Sequence, residues 1–273
     1  MDNYLLLELI RQMELKFWKY QATGNDFLLV ENLDGHLRLG SEIIQLLCDR
    51  HFGVGADGLI IVERREGNWH MLYYNADGHL GSFCGNGSRA FALHLCSEQG
   101  EEQGRWFSYT AFDGLHWSRV ISADFVETRM RPVAEPSLLS LPGVSGECWF
   151  VDSGSPHVVI VADKHPFWMK DSEFEALGAQ IRWSTLFSPG GVNVNLAWNG
   201  PEGWYVRTYE RGVEAETLSC GTGVVAVACV ARSKGVSNRV DVVTRGGHLM
   251  VDFENAGPIL RGPARKVFKG VWA

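Results

Sequence analysis

Two stretches decide the fold: Tyr73-Tyr74-Asn75-Ala76-Asp77-Gly78 leading to Cys84-Gly85-Asn86-Gly87, and Tyr209-Glu210-Arg211-Gly212-Val213-Glu214 leading to Cys220-Gly221-Thr222-Gly223. Each pairs a strand-like run and an acidic, glycine-bearing loop with a Cys-Gly-x-Gly turn. Each turn opens onto a helical run, Ser88-Arg89-Ala90-Phe91-Ala92-Leu93-His94-Leu95 in the first copy and Val224-Val225-Ala226-Val227-Ala228-Cys229-Val230-Ala231 in the second. Two copies imply two similar halves. A cysteine at a helix start meets unsatisfied backbone N–H groups and the positive end of the helix dipole. That setting favours thiolate and lowers a thiol from about 8.5 toward roughly 3.5–7.5. The glycines admit a ligand close to the backbone, and the same N–H groups suit a carboxylate. One copy alone reads as a tight turn with a packed cysteine; two copies read as two half-sites.

Working outward, the first half holds a strand–turn–strand over 14–32, with the turn at Ala22-Thr23-Gly24-Asn25-Asp26. A helix capped by Ser41 runs to Arg50, Leu59–Val62 is a buried strand, and 105–131 is a meander. Pro132, Pro136, Pro142, Gly143 and Gly146 mark 132–146 as a linker. The second half repeats the layout, with strands near 150–152, 158–161, 192–198, 240–243 and 248–253 and a short helix at Ser172–Ala179. The expected class is α+β. Two pseudo-symmetric domains, 1–131 and 132–262, each wrap a twisted, barrel-like, mainly antiparallel sheet about a central helix.

Composition narrows the function. The 273 residues carry a net charge of −7, which gives a nucleic-acid partner no electrostatic support. The run Met1–Glu8 is too short and too poor in basic residues for an export signal, and no apolar stretch spans a bilayer. The six cysteines, Cys48, Cys84, Cys96, Cys148, Cys220 and Cys229, form no Cys-x-x-Cys pair. They read as reduced thiols in a cytoplasmic protein, and no metal site is expected. Two facing sulfurs, one thiolate and one thiol, could invert a stereocentre by removing an α-proton from one face and delivering one to the other. Helix-start N–H groups would stabilise the carboxylate as charge develops on it. No cofactor is needed.

These motifs resemble the diaminopimelate epimerase family. The resemblance rests on Gly24-Asn25-Asp26-Phe27, on Asp49 through Gly58, on Asn75-Ala76-Asp77-Gly78 with Cys84 through Arg89, on Gly154-Ser155-Pro156-His157, on Glu210 through Gly223, and on Gly262-Pro263-Ala264. It implies a homodimer that epimerises LL-2,6-diaminopimelate to meso-diaminopimelate without a cofactor, with the tail 263–273 returning to the first domain. It also implies Cys84 and Cys220 as the acid–base pair. Gly85, Asn86, Gly221 and Thr222 would hold the reacting carboxylate, and Asn25 would place the reacting end. Asn75, Asn193 and Arg211 would bind the distal carboxylate, Glu210 would meet the distal ammonium, and His157 and Glu210 would tune the thiols. Two positions depart from the family pattern: Ser155 where Asn is common, and Gly58 where Gln is common. Alternatives at this point are a racemase for another amino acid, a thiol–disulfide switch and a non-catalytic anion-binding module.

Overall fold

A computed structural model describes residues 14–81, 83–236 and 238–273; the Met1–Glu8 run lies outside the described residues. The chain forms two compact units, one running to Val126 and taking in Ala264–Ala273, the other Glu127–Pro263. The first unit carries strands β1 (Leu15–Ala22) and β2 (Asn25–Asn32), helix α1 (Ser41–Cys48), and strands β3 (Gly58–Arg65) and β4 (Asn68–Asn75). Helix α2 (Gly85–Glu98) and strands β5 (Phe107–Ala111), β6 (Gly114–Ser122) and β7 (Phe125–Arg129) follow. The second unit carries strands β8 (Ser137–Leu139), β9 (Glu147–Asp152) and β10 (Pro156–Val161), helix α3 (Asp171–Arg182), and strands β11 (Asn193–Gly200), β12 (Gly203–Glu210) and β13 (Ala215–Thr217). Helix α4 (Gly221–Ser233) and strands β14 (Arg239–Thr244), β15 (Gly247–Glu254) and β16 (Gly257–Pro263) complete it, and β17 (Arg265–Trp272) returns to pair with β1.

The two units share one ladder pattern. Antiparallel β1–β2, parallel β2–β3, antiparallel β3–β4, parallel β4–β5 and antiparallel β5–β6 recur as β9–β10, β10–β11, β11–β12, β12–β14 and β14–β15. The sheets are therefore mixed, with four of these ten pairings parallel. The repeat extends to register: Phe27 pairs with Gly58 as His157 pairs with Asn193.

Each unit is organised around its cysteine helix. Val224, Val225, Ala226, Val227, Ala228, Val230 and Ala231 are all buried. A helix apolar on every face must be enclosed. Four valines are poor helix formers, so packing sets this helix, each buried valine adding about 1.5–3 kcal/mol. In the first unit α2 buries Ala90, Phe91, Ala92, Leu93 and Leu95 against Phe27, Leu29, Ile60, Val62 and Met71. The opposite face of that sheet packs Ile44 and Leu47 of α1.

Two local expectations change. Helix α1 is capped by Gly40, whose carbonyl accepts the Ile43 and Ile44 N–H groups, so Ser41 is already inside the first turn. The stretch 132–146 is more than a linker. Its β8 pairs with β9, and Leu141 joins the core of the second unit with Leu139 packed against it, apolar burial that the prolines and glycines obscure. Among the described residues no helix is long and apolar enough to cross a membrane.

Candidate active site

In the first unit Cys84 is the N-cap of α2, in extended backbone, and its sulfur accepts the Gly87 N–H at 3.3 Å. The sulfur lies 3.9 Å from Asn25 Oδ1. Asn25 is held from both sides: Asn86 Nδ2 donates to its oxygen at 3.3 Å, and its own Nδ2 donates to Asp57 at 2.8 Å. Arg89, fully buried one turn into the helix, donates to Asn86 Oδ1 at 2.9 Å, Thr23 Oγ1 at 3.1 Å and Gly85 O at 3.2 Å. Arg89 and Asp57 lie inside the motifs that carry the resemblance, but the sequence alone gives neither a role. Asp26 anchors the base of the cluster. Burial opposes its charge, but Arg50 and Lys19 outweigh that and hold its carboxyl well below the usual range.

Asn75 ends β4, opposite Gly58 across the ladder and in alternation with Met71 and Tyr73, which pack in the cluster of α2. Gly58 has no side chain for a physical reason. A Cβ there would stand 2.6 Å from the Tyr73 ring and 2.6 Å from the Tyr74 carbonyl. Tyr73 occupies the space that the common glutamine would need.

In the second unit Cys220 is the N-cap of α4, buried, with its sulfur 3.4 Å from Thr222 Oγ1. Thr222 Oγ1 lies 2.9 Å from His157 Nε2 and 3.1 Å from Ser155 Oγ, and Ser153 donates to the Thr222 carbonyl at 2.8 Å. Asn193 Nδ2 donates to Ser155 Oγ at 3.2 Å and to Pro156 O at 3.1 Å, while its oxygen accepts the Arg211 N–H at 2.9 Å. Ser155 thus sits inside the network behind Cys220. Glu210 accepts a hydrogen bond from Thr217 at the end of the β12–β13 hairpin, and the Arg211 side chain is exposed. The structure therefore gathers His157, Asn193, Ser155, Thr222 and Cys220 in one unit, and Asn25, Cys84, Asn86 and Gly85 in the other.

The remaining cysteines differ in kind. Burial pushes the Cys48 and Cys229 thiols up to about 12 and Cys96 to about 11, and it raises Cys148. All four are neutral packing groups.

A model of the diaminopimelate epimerase family matches residues 17–106 and 149–267. The chain belongs to that family. It is 38% identical to a diaminopimelate epimerase of Flavobacterium psychrophilum, over 93% of this chain and 99% of the relative. It is 37% identical to one from Methanothrix thermoacetophila, over 94% and 96%. Members of this epimerase family are isomerases, so the chain is an enzyme of that class. Among solved structures, a phenazine biosynthesis protein of the PhzF family from Enterococcus faecalis superposes with a TM-score of 0.72 at 15% identity, covering 95% of this chain and 99% of that one. A probable proline racemase from Agrobacterium radiobacter gives 0.70 at 14%, covering 94% and 92%. At such identities the likeness establishes the fold, the expected two-domain α+β class.

His157 gives the family site a pH signature. Burial, with the Arg211 charge adding to it, lowers the imidazole from 6.5 to about 3. The folded ring is neutral, so below pH 6.5 the unfolded chain gains a proton that the folded chain refuses, and stability declines as pH falls from 6.5 toward 3. Between pH 7 and pH 5 this linkage removes about 2 kcal/mol. Chemical denaturation of wild type and His157→Gln at both pH values checks it. The stability difference between them narrows by that amount at pH 5, and an unchanged difference means that the ring titrates normally.

Proposed function

We propose that this enzyme converts LL-2,6-diaminopimelate to the meso isomer without a cofactor, with Cys84 and Cys220 as the two proton-transfer groups. The observation that carries the reading is the repeat itself, a cysteine at the N-cap of a buried helix in each unit, followed by Gly-Asn-Gly or Gly-Thr-Gly. One sulfur, as thiolate, takes the α-proton from one face. The other, as thiol, delivers its proton to the opposite face, and the pair exchange protonation states. Acid and base of matched strength suit such a two-way transfer. Gly85, Asn86, Gly221 and Thr222 lie in first turns, where N–H groups have no intrahelical partner; they hold the reacting carboxylate and stabilise the charge that develops on it. Asn25 places the reacting end. Asn75, Asn193 and Arg211 receive the distal carboxylate, Arg211 as the charged partner, and Glu210 meets the distal ammonium. His157 and Glu210 tune the thiols.

The reading includes domains 1–131 and 132–262 with the tail 263–273, a role in lysine and peptidoglycan-precursor synthesis, a cytoplasmic setting and a homodimer. Exposed Val267, Phe268 and Val271 of β17 supply the apolar surface that a partner copy covers. A second reading, an epimerase for another amino acid, draws on Gly58, where Tyr73 fills the space of the usual side chain, and on Ser155. In deuterium oxide, LL-diaminopimelate gains deuterium at one α-carbon as the meso isomer appears. Inversion without solvent label removes the proton-transfer mechanism. Faster turnover of a single-centred amino acid in the same assay replaces the substrate.

A further inference from the structure

Resting on that reading, we propose that Asn195 is a positioning residue that fixes the tautomer of His157, so that the Thr222 hydroxyl proton is aimed at the Cys220 sulfur. Asn195 is fully buried on β11, two residues beyond Asn193 on the same face. Its orientation follows from its neighbours. The Val158 carbonyl oxygen only accepts, and it lies 3.1 Å from Asn195 Nδ2. Thr208 Oγ1 donates to Asn195 Oδ1 at 2.9 Å. The amide nitrogen therefore faces His157 Nδ1, at 2.9 Å, and donates to it. With Nδ1 an acceptor, the single proton of the neutral ring sits on Nε2. From there it points at Thr222 Oγ1, 2.9 Å away, with Ser155 Oγ at 3.0 Å. Asn193 Nδ2, 3.5 Å from Nε2, already places its protons on Pro156 O and Ser155 Oγ. Ser155 Oγ, 3.1 Å from Thr222 Oγ1 and already accepting from Asn193, turns its own proton to that oxygen, so Thr222 accepts from the ring and from Ser155 and its O–H is left to donate to the sulfur 3.4 Å away. The charged group whose field reaches the ring is Arg211, and Cys220 lies beyond Thr222.

Comparison of the two units argues that this is a device rather than a requirement of the fold. In the first unit Phe27 holds the register position of His157, and Ile60 that of Asn195. Buried Arg89, five residues after Cys84, stands where Val225 follows Cys220. One sulfur has a buried cation behind it, the other a neutral relay. Gly223 completes the fit, since a Cβ there would lie 2.5 Å from Asn195 Oδ1.

Nitrogen-15 spectra of histidine-labelled wild-type protein at pH 7 show His157 as the Nε2-protonated tautomer. The Nδ1-protonated form in wild type overturns the proposal without any variant. Asn195→Asp replaces the donor with an acceptor, so the ring proton moves to Nδ1 and the Thr222 hydroxyl turns toward Nε2. Alkylation of Cys220 by iodoacetamide at pH 7, read by mass spectrometry in a Cys84→Ser background, then slows about tenfold, the worth of one hydrogen bond to a charged group. With both cysteines present, kcat falls by a similar factor and KM stays near wild type. A variant that keeps the Nε2 tautomer, or flips it and alkylates Cys220 at the wild-type rate, sinks the proposal. The tautomer is read without turnover, so absent deuterium uptake would count against the epimerase reading alone.

Discussion

Cys84→Ser and Cys220→Ser each lower kcat/KM for LL-diaminopimelate by roughly 10²–10⁴-fold, the usual contribution of one positioned acid or base. A serine hydroxyl keeps the shape of the site, but it is a far weaker acid than a thiol and gains far less charge at a helix start. The two variants also differ from each other in a way that a structural defect would not produce. Each keeps one sulfur, on one face of the α-carbon. That sulfur can still remove and return a proton on its own face, slowly and with retention. One variant therefore exchanges the α-hydrogen of the LL isomer with solvent, and the other exchanges the corresponding hydrogen of the meso isomer. Epimerisation near the wild-type rate by either variant, or exchange of the same isomer by both, removes the assigned pair. Mass spectrometry of recovered substrate after incubation in deuterium oxide reads both results.

The features legible in the sequence were those that recur. Two Cys-Gly-x-Gly turns before apolar runs gave α2, α4 and their N-caps, because a small-residue turn followed by enclosed apolar residues has few other solutions. The residues behind the sulfurs were less visible. Asn193 is an asparagine in a strand, an unusual setting for that residue, yet Asn195 shares it and its partner His157 lies 38 residues upstream. Only the parallel β10–β11 register brings them together, and no local period encodes that pairing. In the sequence Arg89 is one letter of a motif, since nothing in a sequence says that a guanidinium will be buried. Gly58 reads in the sequence only as a departure from the family pattern. The structure shows a trade of volume, with Tyr73 from the neighbouring strand in the vacated space.

Arg207→Met lowers the stability of the protein by about 3 kcal/mol, the lower end of what breaking a buried ion pair costs. Arg207 is buried on β12 and donates to Glu216 Oε1 at 2.8 Å, to Asp171 at 3.0 Å and to the Met169 carbonyl at 2.6 Å. Its guanidinium also lies over the Phe174 ring, 4.4 Å from the centroid. Removing it leaves the buried Glu216 carboxylate with Arg245, at 3.2 Å, as its remaining cation, which keeps the loss from being larger. The midpoint of thermal unfolding falls by roughly 6–12 °C. Methionine conserves the apolar contact with Phe174, so the loss reports charge rather than a cavity. The double variant Arg207→Met with Glu216→Met recovers most of the stability, because an absent pair leaves no uncompensated charge. Full cost in the double variant would mean that packing carried the effect. The consequence for function is local. Arg207 and Glu216 brace β12 against β13, the hairpin that ends in Glu210 and Arg211 and runs on into Cys220. Loosening it moves Glu210 and Arg211 before it moves the Cys220 sulfur. The folded fraction of Arg207→Met therefore shows a raised KM with a smaller change in kcat, and a pure kcat defect would place the hairpin's influence on the thiol instead.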